Sequence, residues 1–352
     1  MLPPAIAILL LSAISFACHK EGNLSTPKQT AAAPPTGPVT HPPPPRPLVW
    51  VRLADLPFTD GVAGDVPTAL IGPQGFAING RGYLFGGLTR TSTGDLEELN
   101  NLWEYDTAIH SWTQKAHFPG GTTYQASNFV VGSAAYILTG NANWQYNQPT
   151  NTWTRKADMP GDSRSNASAF AIGSNGYAGF GYDVTAGIGD LNDFYRYETA
   201  VDRWLRMPPF PGSSRMGAMS FTVDTYGYVC SGLHLGTGSP FVYLTDCWQF
   251  DPGTGTWASK QTFPGNGRAY GVGLGGPGHG FVGAGSDGAY NYGYYKDFYE
   301  FTPSTNTWTR LPDIGIARNQ AGSFFIGSNL YVAGGHLDIN EFKDFWTLHL
   351  TP

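Results

Sequence analysis

From residue 49 to the C-terminus, apolar positions come in short runs bounded by Gly pairs, Asn-Gly or Gly-Ser. After residue 20 no stretch keeps apolar residues at helical spacing through three turns. Ser168-Ala-Phe-Ala-Ile172, Tyr83-Leu-Phe-Gly-Gly87 and Phe194-Tyr-Arg-Tyr-Glu198 have the length and residue types of strands. The pattern predicts an all-β chain.

The runs recur in a fixed order. A small-residue strand comes first, then a strand ending in Gly or Gly-Gly. A third strand rich in aromatics follows, such as Leu102-Trp-Glu-Tyr-Asp106 or Phe345-Trp-Thr-Leu348. A fourth strand opens on Trp, as in Trp112-Thr-Gln-Lys, Trp153-Thr-Arg-Lys and Trp308-Thr-Arg-Leu-Pro. The six fourth-strand tryptophans, 50, 112, 153, 204, 257 and 308, are separated by 62, 41, 51, 53 and 51 residues. The other four, 103, 144, 248 and 346, occupy third strands, where the two remaining units carry Tyr195 and Tyr299. Four short strands per unit describe a propeller blade.

On this order and spacing the chain resembles the kelch family over residues 50–352, whose repeat runs about 50 residues. The resemblance implies a six-bladed kelch β-propeller over residues 49–352. After Gly334-Gly335 only one further strand follows, and before the first full repeat stands an orphan Trp strand at Trp50–Ala54. Pairing the two would complete the sixth blade and remove the exposed edges.

Composition sharpens this picture. Gly (47), Pro (27) and 14% aromatics against 13% charged residues suit many strands joined by tight turns. The net charge of -6, with no basic run, excludes an ordinary nucleic-acid surface. Residues 4–17 form an apolar run too short to span a bilayer comfortably, ending in Ala17 before Cys18. This resembles a bacterial lipoprotein leader, which implies a signal peptide over residues 1–17 and lipidation at Cys18. Residues 18–48 are Pro-rich with little to bury, so they read as a disordered spacer. With no Asp after Cys18, the lipoprotein sorting rule implies export to the outer membrane. The membrane is then touched only through the N-terminal lipid.

Strand alternation places second-to-third and fourth-to-first connections on one face. The long connections, 88–98, 182–191, 233–245, 286–296 and 336–343, all gather there, where binding usually sits. At the start of the inner strands stand Leu70, Thr123, Arg164, Arg215, Arg268 and Arg318. Each arginine either bonds backbone carbonyls and loop carboxylates to lock the blades, or joins a guanidinium ring facing an anionic ligand. In the 290–295 run, Tyr292 and Tyr294 are candidates for stacking on a sugar ring, or simply cover a loop. His234 and His336 lie just past second strands as polar loop residues, proton shuttles or metal ligands. Asp95, Glu97 and Glu98 read as a solvated acidic loop. Cys230 and Cys247 fall on neighbouring strands of the fourth blade, and an exported protein can oxidise them if the register brings them together.

Three functions compete. The leading one is a non-catalytic, monomeric module that binds a glycan or protein on the long-loop face and needs no cofactor. The second resembles the six-bladed kelch enzymes that interconvert sialic acid anomers, an epimerase or mutarotase with His234, His336, Asp338 or Glu341 as acid and base. The third resembles galactose oxidase, whose copper site needs a Tyr–Cys cross-link. That fit is poor, because both cysteines of the mature domain fall in one blade.

Overall fold

In the computed structural model, residues 47–57, 69–91, 94–121, 123–185, 189–236, 241–288 and 293–350 are described. The leader, Cys18, most of the spacer, Tyr290 and Tyr292 lie outside these residues. Among the described residues there is no helix. They form six four-stranded antiparallel sheets, each one blade of a β-propeller.

Blade 3 shows the plan: inner strand Ser168–Ile172, then Asn175–Gly179, Phe194–Glu198 and outer strand Arg203–Arg206. Blades 1, 2, 4 and 5 begin with inner strands Gln74–Ile78, Ser127–Val131, Met219–Val223 and Val272–Gly276. Blade 6 is built from both ends of the domain. Gly322–Ile326, Asn329–Ala333 and Phe345–His349 come from the C-terminal end, and Trp50–Arg52 supplies the outer strand. The register is Trp50 opposite Leu348 and Arg52 opposite Trp346, so the ring is closed as the orphan Trp strand predicts. The Trp50 indole N–H donates to the Pro312 carbonyl at 2.9 Å, which ties the closing strand to blade 5.

The hydrophobic core is divided into six clusters, one at each blade junction. One repeated fit explains why these residues pack as blades. Glycine in the second strand of one blade receives a phenylalanine ring from the inner strand of the preceding blade. A side chain at Gly82, Gly176, Gly227 or Gly280 would overlap Phe324, Phe129, Phe170 or Phe221 respectively. Outer-strand tryptophans add directional links, with Trp153 and Trp204 donating at 2.9 Å to Ala116 and Ala157 carbonyls of the preceding blade. Aromatic bulk thus fills each wedge, and glycine lets the sheets close together.

Cys230 and Cys247 are directly opposite in blade 4 and joined by a disulfide, both fully buried.

Candidate functional site

Three of the long connections carry short two-stranded ribbons, and in blade 3 the long connection pairs with the inner-strand entry. They pair Leu88–Arg90 with Leu96–Glu98, Arg164–Ser165 with Tyr182–Asp183, Leu233–His234 with Val242–Tyr243, and His336–Leu337 with Asn340–Glu341. In blade 5, Ser286 bridges to Tyr294. Blade 2 alone joins its second and third strands by the tight turn Gly140–Asn141. The wall around the channel mouth is therefore low at blade 2.

Each chain entry into an inner strand passes through one left-handed residue. These are Gly72, Gln125, Asn166, Gly217, Tyr270 and Gln320, with φ between 50° and 65°. Their backbones form a ring about the axis. Asn166 donates to Gln125, Gly217 to Asn166, Tyr270 to Gly217, Gln320 to Tyr270 and Gly72 to Gln320, all at 2.8–3.1 Å. Glycine takes this conformation freely, whereas an L side chain costs about 1–2 kcal/mol. Blades 1 and 4 use glycine. The other four blades accept the strain and point Gln, Asn, Tyr and Gln at the same level of the channel mouth.

The four arginines lie two residues earlier, and their side chains have no exposed surface. Arg215 represents all four. Its Nε donates to the Ser213 carbonyl at 3.1 Å and its Nη1 to the Ser231 carbonyl at 2.9 Å. Nη1 and Nη2 clamp both oxygens of Asp246 at 2.8 Å. Arg164, Arg268 and Arg318 grip Asp193, Asp297 and Asp344 in the same way. Each guanidinium thus staples the entry, the second strand and the third strand of its own blade. The blade-to-blade link is made by the arginine backbone instead, whose carbonyl accepts from Gly181, Gly232 or Gly285 of the preceding blade. With no surface exposed, these side chains do not face the channel as an anion-binding ring.

Burial alone would raise the carboxyls of Asp193, Asp246 and Asp297. The hydrogen bonds and charge of the paired arginine outweigh burial and hold all three below the usual carboxylate range. Sequence reasoning missed these aspartates, although a signal was present. In the four blades that carry Arg, an aspartate stands just before the third strand, as Asp193-Phe-Tyr195, Asp246-Cys-Trp248, Asp297-Phe-Tyr299 and Asp344-Phe-Trp346. Blades 1 and 2, with Leu70 and Thr123, have Asn101 and Ala142 at that place. The aromatic two residues on seals each clamp, for instance Trp248 Nε1 donating to Asp246 at 2.7 Å.

The inner strands enclose a central channel of about 440 Å³. Among the described residues its lining contains no Asp, Glu, Lys, Arg or His. Its loop-face end is polar, with Gln74, Gln125, Asn128, Asn166 and Gln320. Deeper positions are small or apolar, among them Ala77, Val130, Ala171 and Phe325. Two tyrosines cover the glycine gaps in the mouth ring. The Tyr124 ring lies over Gly72, and the Tyr270 ring over Gly217. Tyr124 and Gln320 exchange hydrogen bonds at 3.1–3.2 Å. Burial, then the nearby Tyr243 and Tyr124, push Tyr270 up to about 12, so its hydroxyl stays protonated at any ordinary pH.

The candidate histidines divide. His336 reaches the mouth, with Nε2 3.2 Å from Gln320 Oε1 and Nδ1 2.9 Å from the Asp338 carbonyl. Tyr294 stands edge-on to its ring at a centroid distance of 6.0 Å. His234 is engaged between blades, 2.8 Å from the nearly buried carboxylate of Asp190. Glu341 is paired with Arg90 at 2.9 Å across blades 6 and 1. In the acidic loop, Glu98 accepts from the Thr123 backbone N–H at 2.8 Å, so it is a structural cap where blade 2 lacks arginine. The disulfide leaves neither Cys230 nor Cys247 free for a tyrosine cross-link. Among the described residues no three His, Cys, Asp or Glu side chains converge.

No profile of a known protein family matches this chain, and no curated protein matches it.

Proposed function

We propose that the chain is a kelch-type propeller, exported and held at the outer membrane by lipid on Cys18. In this reading it binds a glycan or protein at the channel mouth on its long-loop face. One observation carries the binding reading: a rim of ribbons surrounds a channel mouth where four blades hold strained, non-glycine polar side chains. Such strain is retained where side-chain placement matters more than local stability. Catalysis of the epimerase kind is less well supported, because His234 and Glu341 are each held by a partner on another blade.

The full chain is applied to a glycan array and to candidate envelope proteins. Binding that is lost when His336→Ala and Tyr294→Ala are combined supports the loop face. Binding indifferent to both, yet lost on substitution of the opposite face, refutes it. For the anchor, Cys18→Ala is expected to abolish palmitate labelling and release the protein from the membrane fraction. Unchanged labelling would refute lipidation there.

A further inference from the structure

The mouth of the channel has a chemistry that narrows the ligand. Among the described residues its side-chain groups are amides, phenols and, at the edge, the His336 imidazole, and the four arginines behind it are each buried against a carboxylate. An ion entering would shed water and meet no opposite charge, which costs several kcal/mol. An uncharged polyol loses less, since amides and phenol hydroxyls can both donate to and accept from its hydroxyls. Aromatic faces suit the apolar side of a sugar ring.

Two further observations sharpen this. The Tyr270 hydroxyl and the Gln125 amide have no hydrogen-bond partner among the described residues, although both are half-buried at the mouth. Glycine already serves at the equivalent positions 72 and 217, so the ring does not need a side chain at 125, 166, 270 or 320. The fold tolerates strain there in order to place donors, acceptors and one aromatic at a single level.

Resting on the loop-face reading above, we infer that the ligand presents an uncharged sugar residue to the mouth. That residue stacks on Tyr270 and is hydrogen-bonded by Gln125, Asn166 and Gln320. Tyr124 and His336 position the Gln320 amide between them. The low wall at Gly140–Asn141 lets the rest of an oligosaccharide leave sideways over blade 2.

The test titrates the full chain with neutral oligosaccharides (maltohexaose, cellohexaose, hexa-N-acetylchitohexaose) and with anionic ones (oligogalacturonate, sialyllactose), by saturation-transfer NMR and calorimetry. At least one neutral probe is expected to bind. Tyr270→Gly and Gln320→Gly are the variants, because glycine is native to this position in two blades and the ring should remain folded. Each is expected to weaken that binding at least about tenfold. Gln320→Gly should leave thermal stability near its starting value, and Tyr270→Gly should lower it only modestly, because relief of the left-handed backbone partly offsets the packing lost over Gly217. Neutral binding that survives both variants overturns the inference. Preferential binding of the charged probes, lost in Tyr270→Gly, overturns the ligand class and leaves the loop-face reading standing. Failure of every probe to bind overturns the inference together with the glycan part of that reading.

Discussion

Replacing Arg318 with leucine would leave Asp344 almost fully buried, its side chain only 7% exposed, with the Trp346 indole at 2.6 Å as its remaining side-chain partner. The same change strips the Gly334 carbonyl of a donor at 2.9 Å. Removing one member of a buried ion pair costs about 3–5 kcal/mol, most of it from the uncompensated charge. Blade 1 shows how the site can be closed without charge, since it carries Leu70 and Asn101 at the equivalent positions, both buried. The double variant Arg318→Leu with Asp344→Asn copies that solution and keeps an oxygen for the Trp346 N–H. It should cost only about 1–2 kcal/mol, chiefly for the Gly334 carbonyl. Urea unfolding followed by tryptophan fluorescence measures the single and double variants. The expected coupling is therefore at least about 2 kcal/mol in favour of the double. A double variant as unstable as the sum of the singles would refute the account of the clamp.

Three further outcomes follow from the packing. Gly227→Ala should destabilise by about 1–3 kcal/mol, because its methyl group overlaps the Phe170 ring at the junction of blades 3 and 4; calorimetry showing no change would contradict that fit. Replacing Cys230 and Cys247 together by alanine opens a link across 17 residues and should cost roughly 3 kcal/mol in the chain-entropy account. An unchanged denaturation midpoint would show that the bond adds nothing to stability. Asp193, Asp246 and Asp297 have carboxyls lowered in the folded state, so their contribution is complete above the unfolded value of about 3.9. It is lost as pH falls through the lower folded values. Urea midpoints should hold from pH 7 to 5 and drop below about pH 4, and the drop should shrink when Arg164 and Asp193 are neutralised together.

Much of this architecture was legible because tryptophan, glycine pairs and aromatic third strands recur at blade spacing. The closing strand could be placed from Trp50 because it was the one fourth strand without a preceding third. The arginines were found, but their orientation was not. A charged residue at a strand entry looks the same in sequence whether it turns toward the axis or back into its own blade. What decides is the partner, and each aspartate sits 26 to 31 residues away, inconspicuous as the residue just before an ordinary strand. The mouth residues Gln125, Tyr270 and Gln320 lie in the short entries to the inner strands, outside the long connections that mark the binding face in sequence. A left-handed backbone at glutamine or tyrosine leaves no mark in composition. The Cys230–Cys247 pairing needed the strand register, which residue counting alone could not supply.

Closure by the first strand has a temporal consequence. During synthesis Trp50 and Leu48 emerge before any blade is complete, but the strand that covers them, Phe345–His349, follows only after the other five blades. Until then the molecule is an open arc with two unsatisfied edges. A chain truncated before Phe345 would have five finished blades and no way to seal. Closure thus makes the first strand of the propeller wait for the sixth blade before its edge is covered.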